Sequence, residues 1–149
     1  VRACASAGGG FLLAVLWFDL MFDVQVIGHR DGELPEEVLA SISDYYRRVT
    51  TTARPMNRLI ALVMLATLAA IIAELLGEGT HAWVAWSSLA AAMTPIALAG
   101  AHTVPNAVRM GARGDISERQ STLARSICRQ HLFCAASIAA LLVLQLAFA

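Results

Sequence analysis

The chain has 149 residues, of which 58% are hydrophobic and only 15% charged, against about 25% charged in ordinary soluble domains. The apolar residues come in long blocks, which points away from a soluble domain and toward the bilayer. Eleven basic residues, all of them arginine, balance eleven acids to a formal net charge of zero, so the chain has no global attraction to nucleic acid.

Four segments are long and apolar enough to cross a hydrocarbon core, which takes about 20 residues of helix. The first covers residues 8–28 and opens on Gly8-Gly9-Gly10, read as a flexible lead-in. It lacks a cleavage region, and Asp19 and Asp23 interrupt its apolar run, so it is read as a span and not as a secretory signal. Residues 35–52 then read as an amphipathic helix. Pro35 and Glu36-Glu37 suit its start, and Arg47-Arg48 suit its negative end. Leu34, Val38, Ile42, Tyr45 and Val49 recur at helical spacing, a stripe that would lie on the membrane surface or against the bundle. The second span covers 56–76, after Pro55. The third covers 81–101, with a kink expected at Pro95. The fourth covers 127–149. Asp115 and Glu118 have capping-box spacing, which starts the last helix near Ile116. From there to Ala149 is roughly 50 Å of helix, so its first turns should stand clear of the hydrocarbon. Alanines 66, 70 and 73, then 90, 97 and 101, and 135, 136, 139 and 140 suggest close helix packing in lipid.

Arginine placement orients these spans. Arg30, Arg47, Arg48 and Arg54 follow the first span, and Arg109, Arg113, Arg119 and Arg125 follow the third. The turn from Gly77 to Thr80 has no arginine and one acid, Glu78. The positive-inside rule then makes both arginine-rich connections cytoplasmic and puts both termini outside, in a bacterial inner membrane. Trp83 and Trp86 fit the outer aromatic belt. The fold expected is all-α: one domain, 1–149, forming an integral membrane four-helix bundle with an interfacial helix in its first cytoplasmic connection.

Asp19 and Asp23 carry the most information about a site. A carboxyl group in hydrocarbon is costly and is normally kept only where it meets a partner, a cavity or a pathway. Their spacing puts both on one helix face, roughly 14 and 8 Å below the cytoplasmic boundary. Asn57 and Arg58, then His102, Asn106 and Arg109, then Arg125, Arg129 and His131 converge on the same side. Three arrangements follow. The acids form buried ion pairs with Arg58, Arg109 or Arg129 that fix helix register. Or the set lines a pocket, with Asn57, His102, Asn106, Arg125 and His131 as binding residues. Or the acids meet a second membrane subunit. No paired-histidine or Glu-x-x-His spacing occurs, no Cys-x-x-Cys, no phosphate loop and no Gly-x-Ser-x-Gly elbow, so neither metal nor cofactor is expected. Cys4, Cys128 and Cys134 are read as reduced packing residues.

Pro55-Met-Asn57-Arg58, Val104-Pro105-Asn106, and Arg125, Arg129 and His131 entering the fourth span together resemble the anthrone-oxygenase-like family of small bacterial membrane proteins. The chain differs from that pattern in carrying Ser126-Ile127-Cys128 in place of a tryptophan–asparagine step. The resemblance implies a four-helix membrane fold and names Asn57, Asn106 and the span-four arginines as pocket residues. The function expected is non-catalytic: an accessory or scaffold subunit, or a binder of a small hydrophobic molecule. The partners expected are the lipid bilayer and other membrane subunits. A membrane enzyme acting on a lipid-soluble aromatic or quinone-like compound is the alternative. Asp19 or Asp23 would be its base, and Arg58, Arg109 or Arg129 would stabilise an enolate or phenolate. A proton-coupled transporter acting as an oligomer is the third reading.

Overall fold

The computed structural model describes residues 1–29, 31–77 and 79–148; Arg30, Glu78 and Ala149, with the side chain of Arg54, lie outside the described residues. The described residues form helices and turns, with no strand among them. Helix α1 (Arg2–Asp23) ends in a 3-10 stretch, Val24–Gly28. Helix α2 (Glu36–Arg47) runs into a wide i→i+5 turn, Arg48–Thr52. Helix α3 is Arg54–Leu76 and α4 is Ala82–Leu98. A second wide turn, Ala99–Thr103, joins α4 to α5 (Val104–Ala112). Helix α6 is Ser117–Ala147. Four helical stretches are long and apolar enough to cross a membrane: Arg2–Gly28, Pro55–Leu76, Ala82–Ala112 and Ser117–Ala147.

The long helices close a ring. Helix α1 packs between α3 and α6, and α4 packs between the same two. Large apolar side chains such as Phe18, Leu62, Leu65, Val143 and Leu146 point outward. So extensive an apolar exterior suits acyl chains better than water.

Helix α1 begins six residues before the expected span, and the three glycines lie inside it. They are not a flexible lead-in. A Cβ on Gly8 would fall 2.0 Å from Thr67 Oγ1, and one on Gly9 would fall 3.1 Å from Leu142 Cδ2. These glycines let α1 approach α3 and α6 closely, which is where dispersion between helices is gained. The alanine rows serve less well. Ala66, Ala73, Ala90, Ala97 and Ala101 face outward, whereas Ala5, Ala85 and Ala92 are buried.

The third stretch runs past residue 101 to Ala112. Helix α4 continues through the buried Pro95, and the wide turn follows it. In that turn Val104 N–H donates to Ala99 O, and Thr103 Oγ1 reaches Leu98 O. The register change comes just ahead of Pro105, which has no N–H to give, so the helix passes the proline without breaking. At the start of α6, Ile116 is the N-cap and makes no side-chain cap bond. Asp115 does not cap the helix; its carboxyl is gripped by Arg109 Nε and Nη2 at 2.7 and 2.6 Å.

Helix α2 is not spread on a lipid surface. Val38, Leu39, Ile42 and Tyr46 are buried against Ala107 and Met110 of α5 and Leu123, Ala124 and Ile127 of α6. Each such side chain contributes about 1.5–3 kcal/mol on burial. The stripe turns inward by one position: Leu39 and Tyr46 are fully buried, while Tyr45 and Val49 are left at the edge. Helix α2 therefore caps one end of the bundle with a core like that of a soluble protein. A second apolar core, with Ala5, Leu12, Ile71, Ala92, Ile138 and Leu141, fills the bundle itself.

Candidate functional site

Asp19 and Asp23 sit one turn apart on α1, facing α2 and α6. Asp23 is 0% exposed. Its Oδ1 accepts from Tyr46 OH at 2.6 Å, and its Oδ2 lies 2.6 Å from His131 Nδ1. The other ring nitrogen, Nε2, faces Asp19, whose Oδ2 is 3.8 Å away. Asp19 Oδ1 accepts from Tyr45 OH at 2.6 Å. Tyr46 OH is also 3.4 Å from His131 Nδ1. The Tyr45 ring stacks on Phe22 of α1, with centroids 4.1 Å apart, which fixes the phenol over the acid.

The geometry follows from two helical periods. The acids are four residues apart on α1 and share a face. Tyr45 and Tyr46 are adjacent on α2, so they diverge by about 100° and reach successive turns of α1. Burial first, and then the neighbouring carboxyl groups, push both phenols above their ordinary range. They remain donors throughout the ordinary pH range.

The chamber of acids and arginines does not form among the described residues. The partners of the acids are His131, Tyr45 and Tyr46. Arg58 is exposed on α3. Arg109 holds Asp115. Arg125 donates to the backbone carbonyls of His29, at 3.0 Å, and Gly32, at 2.7 Å, closing the chain beyond α1. Arg129 is exposed on α6. Asn57 Nδ2 donates to Thr50 O and ties α3 to the first wide turn. His102 is exposed and Asn106 half-buried, and neither is a hydrogen-bond partner of the acids among the described residues. Of the residues singled out from the sequence, the structure brings together Asp19, Asp23 and His131. It adds Tyr45 and Tyr46, which sequence reasoning missed. In the sequence Tyr45 reads only as part of an apolar stripe. The available signal was that the chain's two tyrosines are adjacent, on the helix that follows the acid-bearing span.

Asp19, Asp23 and His131 are engaged with one another and with two phenols, and no three His, Cys, Asp or Glu side chains among the described residues are arranged to hold a metal ion. Beside the cluster lies an open cleft of about 440 Å³ between the 3-10 end of α1 and α6. Val26, Ile27, Cys128 and Leu132 form its apolar wall, and Arg125 and Arg129 its basic rim. Val26 and Cys128 share one buried core with Tyr46, so one wall of the cleft backs onto the cluster.

No protein-family model matches the chain, and neither curated proteins nor solved structures give a match.

Proposed function

We propose that this chain is a multi-pass inner-membrane protein that binds an anionic, lipid-soluble molecule in the cytoplasmic half of its bundle and has no catalytic role. The cleft between α1 and α6 carries the reading. An apolar wall rimmed by Arg125 and Arg129 matches an acyl or aromatic body with a phosphate or carboxylate head. Arg125 is held in place by two backbone carbonyls, so its guanidinium is already oriented before a ligand arrives. The arginine-rich connections favour an inner-leaflet position for this end, where anionic head groups lie. The acid–histidine–tyrosine cluster then acts as the clasp that holds α2 and α6 around α1, keeping the cleft's wall in shape.

Native mass spectrometry of the detergent-purified chain with added phosphatidylglycerol tests this. Arg129→Gln should weaken lipid retention several-fold, whereas Arg58→Gln, at the same end but outside the cleft, should not. Equal losses in the two variants would refute the proposed seat.

One observation favours an enzyme instead. A carboxyl group orienting an imidazole at 2.6 Å is the arrangement of an acid–base pair. On that reading His131 is the base, Asp23 orients it, and the half-buried Asp19–Tyr45 edge faces a lipid-soluble aromatic substrate of the kind that the anthrone-oxygenase-like resemblance suggests. Arg58 and Arg109 have no part in it, since neither is a partner of the acids. His131→Gln would then abolish turnover of an anthrone while leaving the helix content unchanged; retained turnover would dismiss the enzyme.

A further inference from the structure

A second buried polar group sits at the other end of the bundle. Glu74 lies in the last turns of α3, Gln145 near the end of α6 and Ser88 in the first half of α4. All three are buried, at 7%, 2% and 0% exposure. Gln145 Nε2 donates to Glu74 Oε2 at 2.9 Å and to Ser88 Oγ at 3.1 Å. Both amide hydrogens are then used. Among the described residues two acceptors remain without a donor, Glu74 Oε1 and Gln145 Oε1. Buried polar atoms are rarely left in that state, and a pair of them asks what completes the set.

We infer that Glu74, Ser88 and Gln145 form a binding site for a single alkali-metal cation. The atoms on offer are all oxygens: a carboxyl, an amide carbonyl and a hydroxyl. Hard cations take such ligands, whereas softer metals look for nitrogen or sulfur. One carboxyl group balances one positive charge, so the match is monovalent. A cleft of about 260 Å³, lined by Ala73, Glu74, Gly77, Gly79 and Thr80, borders the acid on its outer side. Arg2 also lines the cleft but forms no ion pair with Glu74 among the described residues. It is a fixed positive charge on that cleft, and it opposes the arriving ion.

The test uses the full chain in mild detergent, titrated with lithium, sodium or potassium chloride against choline chloride at constant total chloride. The signals are tryptophan fluorescence, since Trp83 and Trp86 lie on α4 near Ser88, and the thermal midpoint. A saturable response to one alkali ion and none to choline is expected. Glu74→Gln should abolish it, Ser88→Ala should weaken it several-fold, and Arg2→Ala should strengthen it. The Ser88 and Arg2 variants decide the question where Glu74→Gln fails to fold. A response that is equal in choline, or that persists in Glu74→Gln, overturns the site. So does a protein that responds to pH and to no alkali ion, because the acid then holds only a proton.

Discussion

Replacing Tyr46 by phenylalanine removes one oxygen from the centre of the acid cluster and leaves the ring that fills the space. The hydroxyl is buried and donates at 2.6 Å to Asp23, itself 0% exposed. A hydrogen bond to a carboxylate contributes about 1.5–3 kcal/mol, and its loss here strands a buried acceptor that water cannot reach. His131 still holds the other oxygen of Asp23, which limits the damage. We expect Tyr46→Phe to cost about 2–3 kcal/mol, or roughly 5–10 °C of thermal midpoint for a chain of this size. Tyr45→Phe is the internal control. It removes an equally short bond, but Asp19 keeps 17% exposure, so solvent or a head group can replace the phenol, and the cost should be about 1 kcal/mol or less. The measurement is reversible denaturation in mild detergent followed by tryptophan fluorescence, with Asp23→Asn completing a double-mutant cycle. The cycle should return a coupling of about 1–3 kcal/mol between positions 23 and 46. A Tyr46→Phe protein within about 0.5 kcal/mol of the parent, or no weaker than Tyr45→Phe, would refute the cluster as the clasp of the fold.

Three further outcomes follow from the packing and from the phenols. Gly111→Ala would bring a Cβ to 2.7 Å from Arg47 N and 3.0 Å from Arg47 Cα. Neither backbone atom can yield cheaply, so about 1–3 kcal/mol should be lost, with faster trypsin cleavage at Arg47 and Arg48 as α2 loosens; unchanged cleavage would mean that α2 and α5 do not touch there. Gly8→Ala should be destabilising through Thr67 Oγ1, and Gly8→Ala/Thr67→Ala should recover part of the loss; additive losses would place α1 elsewhere. The chain's two tyrosines are the pair in the cluster, so phenolate absorbance reports on them alone. Burial and the neighbouring acids raise both above the ordinary value of 10.0. The folded chain should therefore show no phenolate as pH passes 10, while the unfolded chain releases both protons. Stability is whole below that pH and falls as pH rises above it. A phenolate signal near pH 10 with helix content intact would mean that the phenols face water.

Hydropathy was enough to find four membrane-length helices, because the length of an apolar run is a property of one segment. The amphipathic helix after the first span was visible for the same reason. Its inward face was legible through Leu34, Val38 and Ile42, but not the choice of Tyr46 over Tyr45, since both are acceptable on an apolar stripe and only the neighbours α5 and α6 choose between them. Gly8-Gly9-Gly10 reads as a break when taken alone. Gly8 and Gly9 become a contact surface once Thr67 and Leu142 occupy the space that a Cβ would need.

The acids show the division most clearly. Their burial, their shared face and their end of the bundle followed from the sequence, because charge inside an apolar run and the period of a helix are local facts. Their partners did not. Spacing along one helix says nothing of how a neighbouring helix is rotated, and that rotation decides which side chains meet. Arginine, long and strongly charged, reaches out to water, to an exposed acid or to free carbonyls. Histidine and tyrosine are short and largely apolar, so they can stay inside and bring one polar atom to a carboxyl group. Only the packing of α2 and α6 against α1 could show that this second solution is the one the chain uses.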